Sequence, residues 1–181
     1  MKLRVRSELV YRFDPPTDAI FQIHAAHWPG QQVLEETLVI TPPVQFRQDE
    51  TIEFGTRPMR ARLSGEVTVL YEALVDNGLL TGLPRGAVQH DWTDLPVDAL
   101  TYLWPSRYCP SDQFGRFVER EFGTLFEVWL SDGWWLIDPT GLAPIAGLVR
   151  IASGRDAADI AFLSTQDMCE MVRQAITVEA V

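Results

Sequence analysis

Between Lys2 and Phe13 the chain alternates. Leu3, Val5, Leu9, Tyr11 and Phe13 occupy one set of positions, and Lys2, Arg4, Arg6, Glu8 and Arg12 the other. A period of two over that length predicts a half-buried β-strand and excludes an amphipathic helix, whose apolar face repeats about every 3.6 residues. The turn-forming run Phe13-Asp14-Pro15-Pro16-Thr17-Asp18 predicts the end of that strand. Further apolar runs follow: Ile20 to Trp28, Val33 to Thr41, the short pairs Val44/Phe46 and Ile52/Phe54, and Ala61 to Ala73 before the turn Asp76-Asn77-Gly78. Short strands at such regular spacing predict an antiparallel β-sandwich, here a first domain over residues 1–98.

Residues 80–98 have few apolar periods and read as a boundary, and a second domain is expected over 99–181. Within it, Ser111 or Asp112 is positioned to cap a short helix carrying Phe114, Phe117 and Phe122. Asp132-Gly133 between two aromatic-rich runs predicts a hairpin from Phe126 to Ile137. The last segment fits a helix through Met168, Met171, Val172, Ala175 and Ile176, and equally an edge strand from Met171 to Val178. The fold class is therefore mainly β, with some α+β character in the second half.

Several functions are disfavoured by composition. With 15 basic and 25 acidic residues the net charge is −10, which repels nucleic acid and anionic lipid. Lys2 is the one lysine, so Schiff-base chemistry has a single candidate. Two cysteines, Cys109 and Cys169, make neither a disulfide scaffold nor a metal-binding spacing. Charged residues interrupt the apolar positions of the first twenty residues, and no apolar run is long enough to span a bilayer, so a cytoplasmic protein is expected.

Among nucleophile–base pairings the candidates are few. His24 and His27, three apart in a strand-like run, are expected on opposite faces and cannot share a metal. His90-Asp91 is adjacent in sequence, an arrangement that seldom makes a working dyad. Cys109, between Tyr108 and Pro110, lacks a helix N-terminus to lower its pKa, and Cys169 is read in the same way.

The second half resembles a known family. Leu103-Trp104-Pro105-Ser106-Arg107-Tyr108-Cys109-Pro110-Ser111-Asp112 is similar to the linker that joins the N-terminal β-domain to the core of bacterial transglutaminase-like proteins. Phe126-Glu127-Val128-Trp129-Leu130 and Gly133-Trp134-Trp135-Leu136-Ile137-Asp138-Pro139-Thr140 resemble the strand pair that closes that core. Gly141-Leu142-Ala143-Pro144 and the run from Gly154 to Phe162 resemble its tail.

The resemblance implies a papain-like core in which a cysteine attacks an amide, a histidine is the base and an aspartate orients it. The aspartate corresponds to Asp138, while the histidine position, three before Phe126, is Gly123. No Gly-Val-Cys-Arg-like helix start precedes it, so the core is expected to be shortened and Asp138 to be a strand-end carboxylate. An orienting carboxylate with no thiol or imidazole has nothing to activate. The implied reading is a non-catalytic binding or assembly module with no cofactor and no metal. The alternative is a thiol-dependent amide hydrolase or acyltransferase, completed by another chain or by Cys109 with His90. A shortened core would leave the Phe126-to-Ile137 hairpin uncovered, which predicts a homodimer through that hairpin.

Overall fold

The computed structural model describes residues 1–49, 55–78, 85–88, 90–104, 126–131, 133–137, 145–155 and 159–181. The described residues are mainly β, and the paired strands are antiparallel. They form two units: Met1–Leu79 with Ala146–Ser153 and Ile160–Val181, and Leu80–Ile145 with Gly154–Asp159.

The first unit is built on two long strands, β1 (Lys2–Phe21) and β4 (Met59–Asp76), paired along their whole length. On the far side of β4 lie β2 (Gln32–Thr41) and β3 (Phe46–Gln48). On the far side of β1 lie β7 (Leu163–Thr165) and β8 (Cys169–Ala180). Cross-strand partners share a face: Leu3 with Val75, Leu9 with Val69 and Tyr11 with Val67 are all buried, while their neighbours Arg6 and Glu72 make an exposed ion pair at 2.6 Å.

The expected strand end at residues 13–18 is instead a bulge inside one strand. Asp14, Pro15 and Pro16 lie opposite the single Ser64, between the pairs Phe13–Gly65 and Thr17–Leu63. Two extra residues leave a period-two pattern in phase, so Thr17, Ala19 and Phe21 continue the buried face of Leu9, Tyr11 and Phe13. Prolines have no N–H to lend a ladder, and the bulge is where none is required. Gly65, opposite, has φ +68°, a conformation natural to glycine. The separate strand expected over Ile20 to Trp28 is correspondingly absent. Strand β1 stops at Phe21, and the next residues form an irregular buried segment closed by a bridge between Trp28 and Gln31.

The last segment, open between helix and strand in sequence, is the strand β8. It pairs with β1 and so lies in the N-terminal sheet, although the expected boundaries group it with residues 99–181. Residues 146–153 also belong to this unit. Gln31 Nε2 donates to the carbonyls of Ala26 at 2.8 Å and Arg150 at 2.9 Å, its Oε1 accepts from Arg150 N at 2.8 Å, and Asn77 Nδ2 donates to Leu148 O. Val149, Leu163 and Cys169 pack against the core.

In the second unit, α1 (Val97–Leu100) is one short turn of helix flanked by 3-10 turns at Trp92–Asp94 and Thr101–Leu103. The expected hairpin is present as β5 (Phe126–Leu130) and β6 (Gly133–Ile137). Trp129 and Trp134 meet edge-on at 5.4 Å, and Tyr102 lies 4.7 Å from Trp134. The helix expected after Ser111 lies outside the described residues.

Candidate functional site

Among the described residues a cluster of buried and half-buried polar groups surrounds the irregular segment after β1. Ala25 and Ala26 are fully buried there, beyond the reach of a strand ladder, so their backbone groups need other partners. The Tyr71 hydroxyl accepts from Ala25 N at 2.9 Å, and Arg57 donates to Ala25 O from Nε at 2.9 Å and Nη2 at 2.6 Å. Ala26 N donates to Arg150 O at 2.8 Å, and His27 N donates to Gly55 O at 2.9 Å.

Glu36 completes this cluster. Its side chain faces the core because β2 carries a one-residue bulge. Val33 pairs with Val75 and Glu35 with Leu74, so Leu34 is extra and the inward phase passes to Glu36, Leu38 and Ile40. Glu36 then receives both ends of the Arg57 fork, Nη1 to Oε1 at 2.7 Å and Nη2 to Oε2 at 2.6 Å, and the Tyr71 hydroxyl donates to Oε2 at 2.9 Å. Arg57 is 5% exposed, and a charge so placed demands a bidentate partner.

The protonation states follow from these contacts. Arg57's hydrogen bonds hold the Glu36 carboxyl down at about 2. Burial pushes the Tyr71 hydroxyl upward, with Glu36 adding to it. Burial, with the Arg57 charge beside it, lowers His24 to about 4. The His24 ring stands edge-on to Tyr71 at 5.0 Å, and its Nδ1 has no hydrogen-bond partner among the described residues. At neutral pH this set comprises a paired anion and cation, a neutral phenol and a neutral imidazole. Tyr71 and the Glu36-paired Arg57 hold the backbone of Ala25 in place.

His24 therefore lies in the core beyond the strand, not on one face of it, and His27 is exposed. Sequence reasoning passes over Glu36, Arg57 and Tyr71 altogether. Cys169 sits on β8 opposite Phe13, partly buried against the core. Asp138, Cys109 and Gly123 lie outside the described residues. Among the described residues no group of three or more His, Cys, Asp or Glu could hold a metal ion, and no helix is long and apolar enough to cross a membrane.

A second feature of the first unit is a groove of about 740 Å³ on the outer face of the sheet beyond the bulge. Ile20, Phe46, Arg47, Arg60, Arg62 and Ser164 line it. Arg62 pairs with Asp18 at 3.1 Å, Arg47 with Asp49 at 3.4 Å, and Arg60 with the same Asp49 carboxylate.

Residues 1–82 match the family model described as Bacterial transglutaminase, N-terminal domain. Over those residues the chain resembles that domain. Its fold is shared by a solved structure described as "a Putative Cysteine Protease from Cytophaga hutchinsonii", at 23% identity and a TM-score of 0.77 over 99% of this chain and 90% of that one. Identity at that level speaks for the fold alone. Among curated proteins none matches the sequence. The matched residues include β1 to β4, with Glu36 on β2, Tyr71 on β4 and Arg57 just before β4.

Proposed function

We propose that this protein is a non-catalytic binding or assembly module of transglutaminase-like architecture. The observation that carries the reading is Gly123 at the position where the family resemblance implies a catalytic histidine, with no Gly-Val-Cys-Arg-like segment before it. The site chemistry supports it. His24 is buried and held neutral by its surroundings, and Cys169 is packed on the core. The groove on the outer face, with its paired arginines and the exposed Ile20 and Phe46, gives such a module a binding surface. Asp138 is then without a catalytic role, and a cytoplasmic location is part of the same reading.

Amine-incorporation and amide-hydrolysis assays on the purified protein test this. The expected result is turnover at the buffer level, unchanged in Asp138→Ala. Thiol-dependent turnover that disappears in Cys109→Ala would overturn it in favour of an amide hydrolase or acyltransferase.

A further inference from the structure

One edge of strand β8 is paired with β1 from Phe13–Cys169 to Leu3–Ala180, and its other edge faces no strand among the described residues. At 12 residues, without proline or glycine, it is long for a bare edge. Its inward row is also incompletely covered. Ile176 and Val178 stand opposite the buried Ser7 and Val5, yet are 43% and 44% exposed. Unpaired backbone groups beside half-covered aliphatic side chains are a template for another strand.

The charges on β8 select the partner. Glu170, Arg173 and Glu179 are its ionisable carboxylates and guanidinium. For two antiparallel copies related by a two-fold axis normal to the sheet, opposed residues must lie on the same face, so their numbers sum to an even constant. Arg173 against Glu170 gives an odd sum and is excluded, whereas Arg173 against Glu179 is allowed and places the axis at Ile176. Regular pairing of β8 with β1 runs from Arg173 to Ala180, so this register needs no bulge.

We infer that β8 pairs with β8 of a second copy of this chain about a two-fold axis at Ile176, joining the two sheets. Arg173, which pairs with Glu8 of its own chain, then also faces the partner's Glu179 on each side of the axis. Gln174 faces the partner's Val178, and the two Ile176 side chains meet on the inward face. Glu179 lies beside Arg4 in its own sheet, so the new contact sets it between two guanidinium groups. Strand β2, at the opposite edge, carries Glu35 and Glu36 with no cation, and self-pairing there has no such complement.

The test is the mass of the particle in solution, by light scattering and sedimentation, for wild type, Arg173→Glu and Glu179→Arg. Wild type is expected to be a dimer. Each variant alone opposes like charges twice, and its self-association is expected to weaken roughly tenfold or more. An equimolar mixture of the two variants restores both opposite-charge contacts and is expected to dimerise, which also shows that the separate variants are folded. Wild-type amide exchange across 173–179 is expected to slow as concentration rises. A monomeric wild type, variants that dimerise as well as wild type, a mixture that stays monomeric, or concentration-independent exchange overturns the proposal. A dimer lost only on changing Trp134 would move the contact to the hairpin, and overturns it equally.

Discussion

Replacing Glu36 with glutamine keeps the shape of the side chain and removes its charge, leaving the Arg57 guanidinium buried without a counter-ion. The cost can be reached from two directions. The Glu36 carboxyl is held at about 2 against an ordinary value of 4.5. At ~1.4 kcal/mol per pH unit this is about 3 kcal/mol, which the 32% exposure of the side chain reduces to roughly 2. Independently, removing one member of a buried ion pair costs about 3–5 kcal/mol, and less where the surviving charge keeps other acceptors. Arg57 keeps Ala25 O, and glutamine still offers an oxygen. The expected loss at neutral pH is about 2–3 kcal/mol by urea unfolding followed by circular dichroism. Its pH dependence is distinctive. A carboxyl whose folded pKa is depressed stabilises fully above its unfolded value and loses that contribution as pH falls through the folded one. The gap between wild type and Glu36→Gln should therefore close between pH 4.5 and about 2. A neutral-pH difference below about 0.5 kcal/mol, or one that persists unchanged in strong acid, would refute the assignment of Glu36 as the counter-ion.

His24 extends the acid sensitivity upward. Its pKa is lowered in the fold from 6.5 to about 4, so the stability it protects is complete above pH 6.5 and lost as pH falls through 4, about 2–3 kcal/mol in all; in His24→Gln the slope of unfolding free energy between pH 6.5 and 5 should flatten. Gly55→Ala meets two obstacles at once, a φ of +78° and a new Cβ 1.9 Å from His27 O. About 2–4 kcal/mol should be lost, seen as a lower urea midpoint at unchanged m-value.

The long alternation of β1 is legible in sequence because one face of each residue pair is water and the other is core. What misleads there is Pro15-Pro16. The pair looks like a terminus, but an insertion of two residues preserves phase, and only the partner strand reveals it. Glu36 is opaque for the opposite reason. It lies in the polar run Glu35-Glu36-Thr37, and a one-residue bulge, invisible in composition, turns it inward. Arg57 and Tyr71 lie 21 and 35 positions from it, with no shared periodicity to connect them. The hairpin from Phe126 to Ile137 is local, signalled by Asp132-Gly133, and needed no distant partner to be recognised. The final strand is ambiguous because Met171, Val172, Ala175 and Ile176 suit a helix as well. Its conformation is decided by β1, whose open edge supplies the hydrogen bonds.

That pairing has a consequence for how the chain is made. Leu3 lies opposite Ala180, so as the chain is made one edge of β1 waits for β8, which is synthesised much later. At ~5–20 residues per second the wait is roughly 9–35 s. During it, β1 is already able to pair with β4 and still presents a bare flank to every other nascent chain nearby. Arg4, Arg6, Glu8 and Arg12 line its outward row. In the finished fold several of them make surface ion pairs of small value. Before the strand is flanked, they are the charges that discourage a stranger from taking the place of β8.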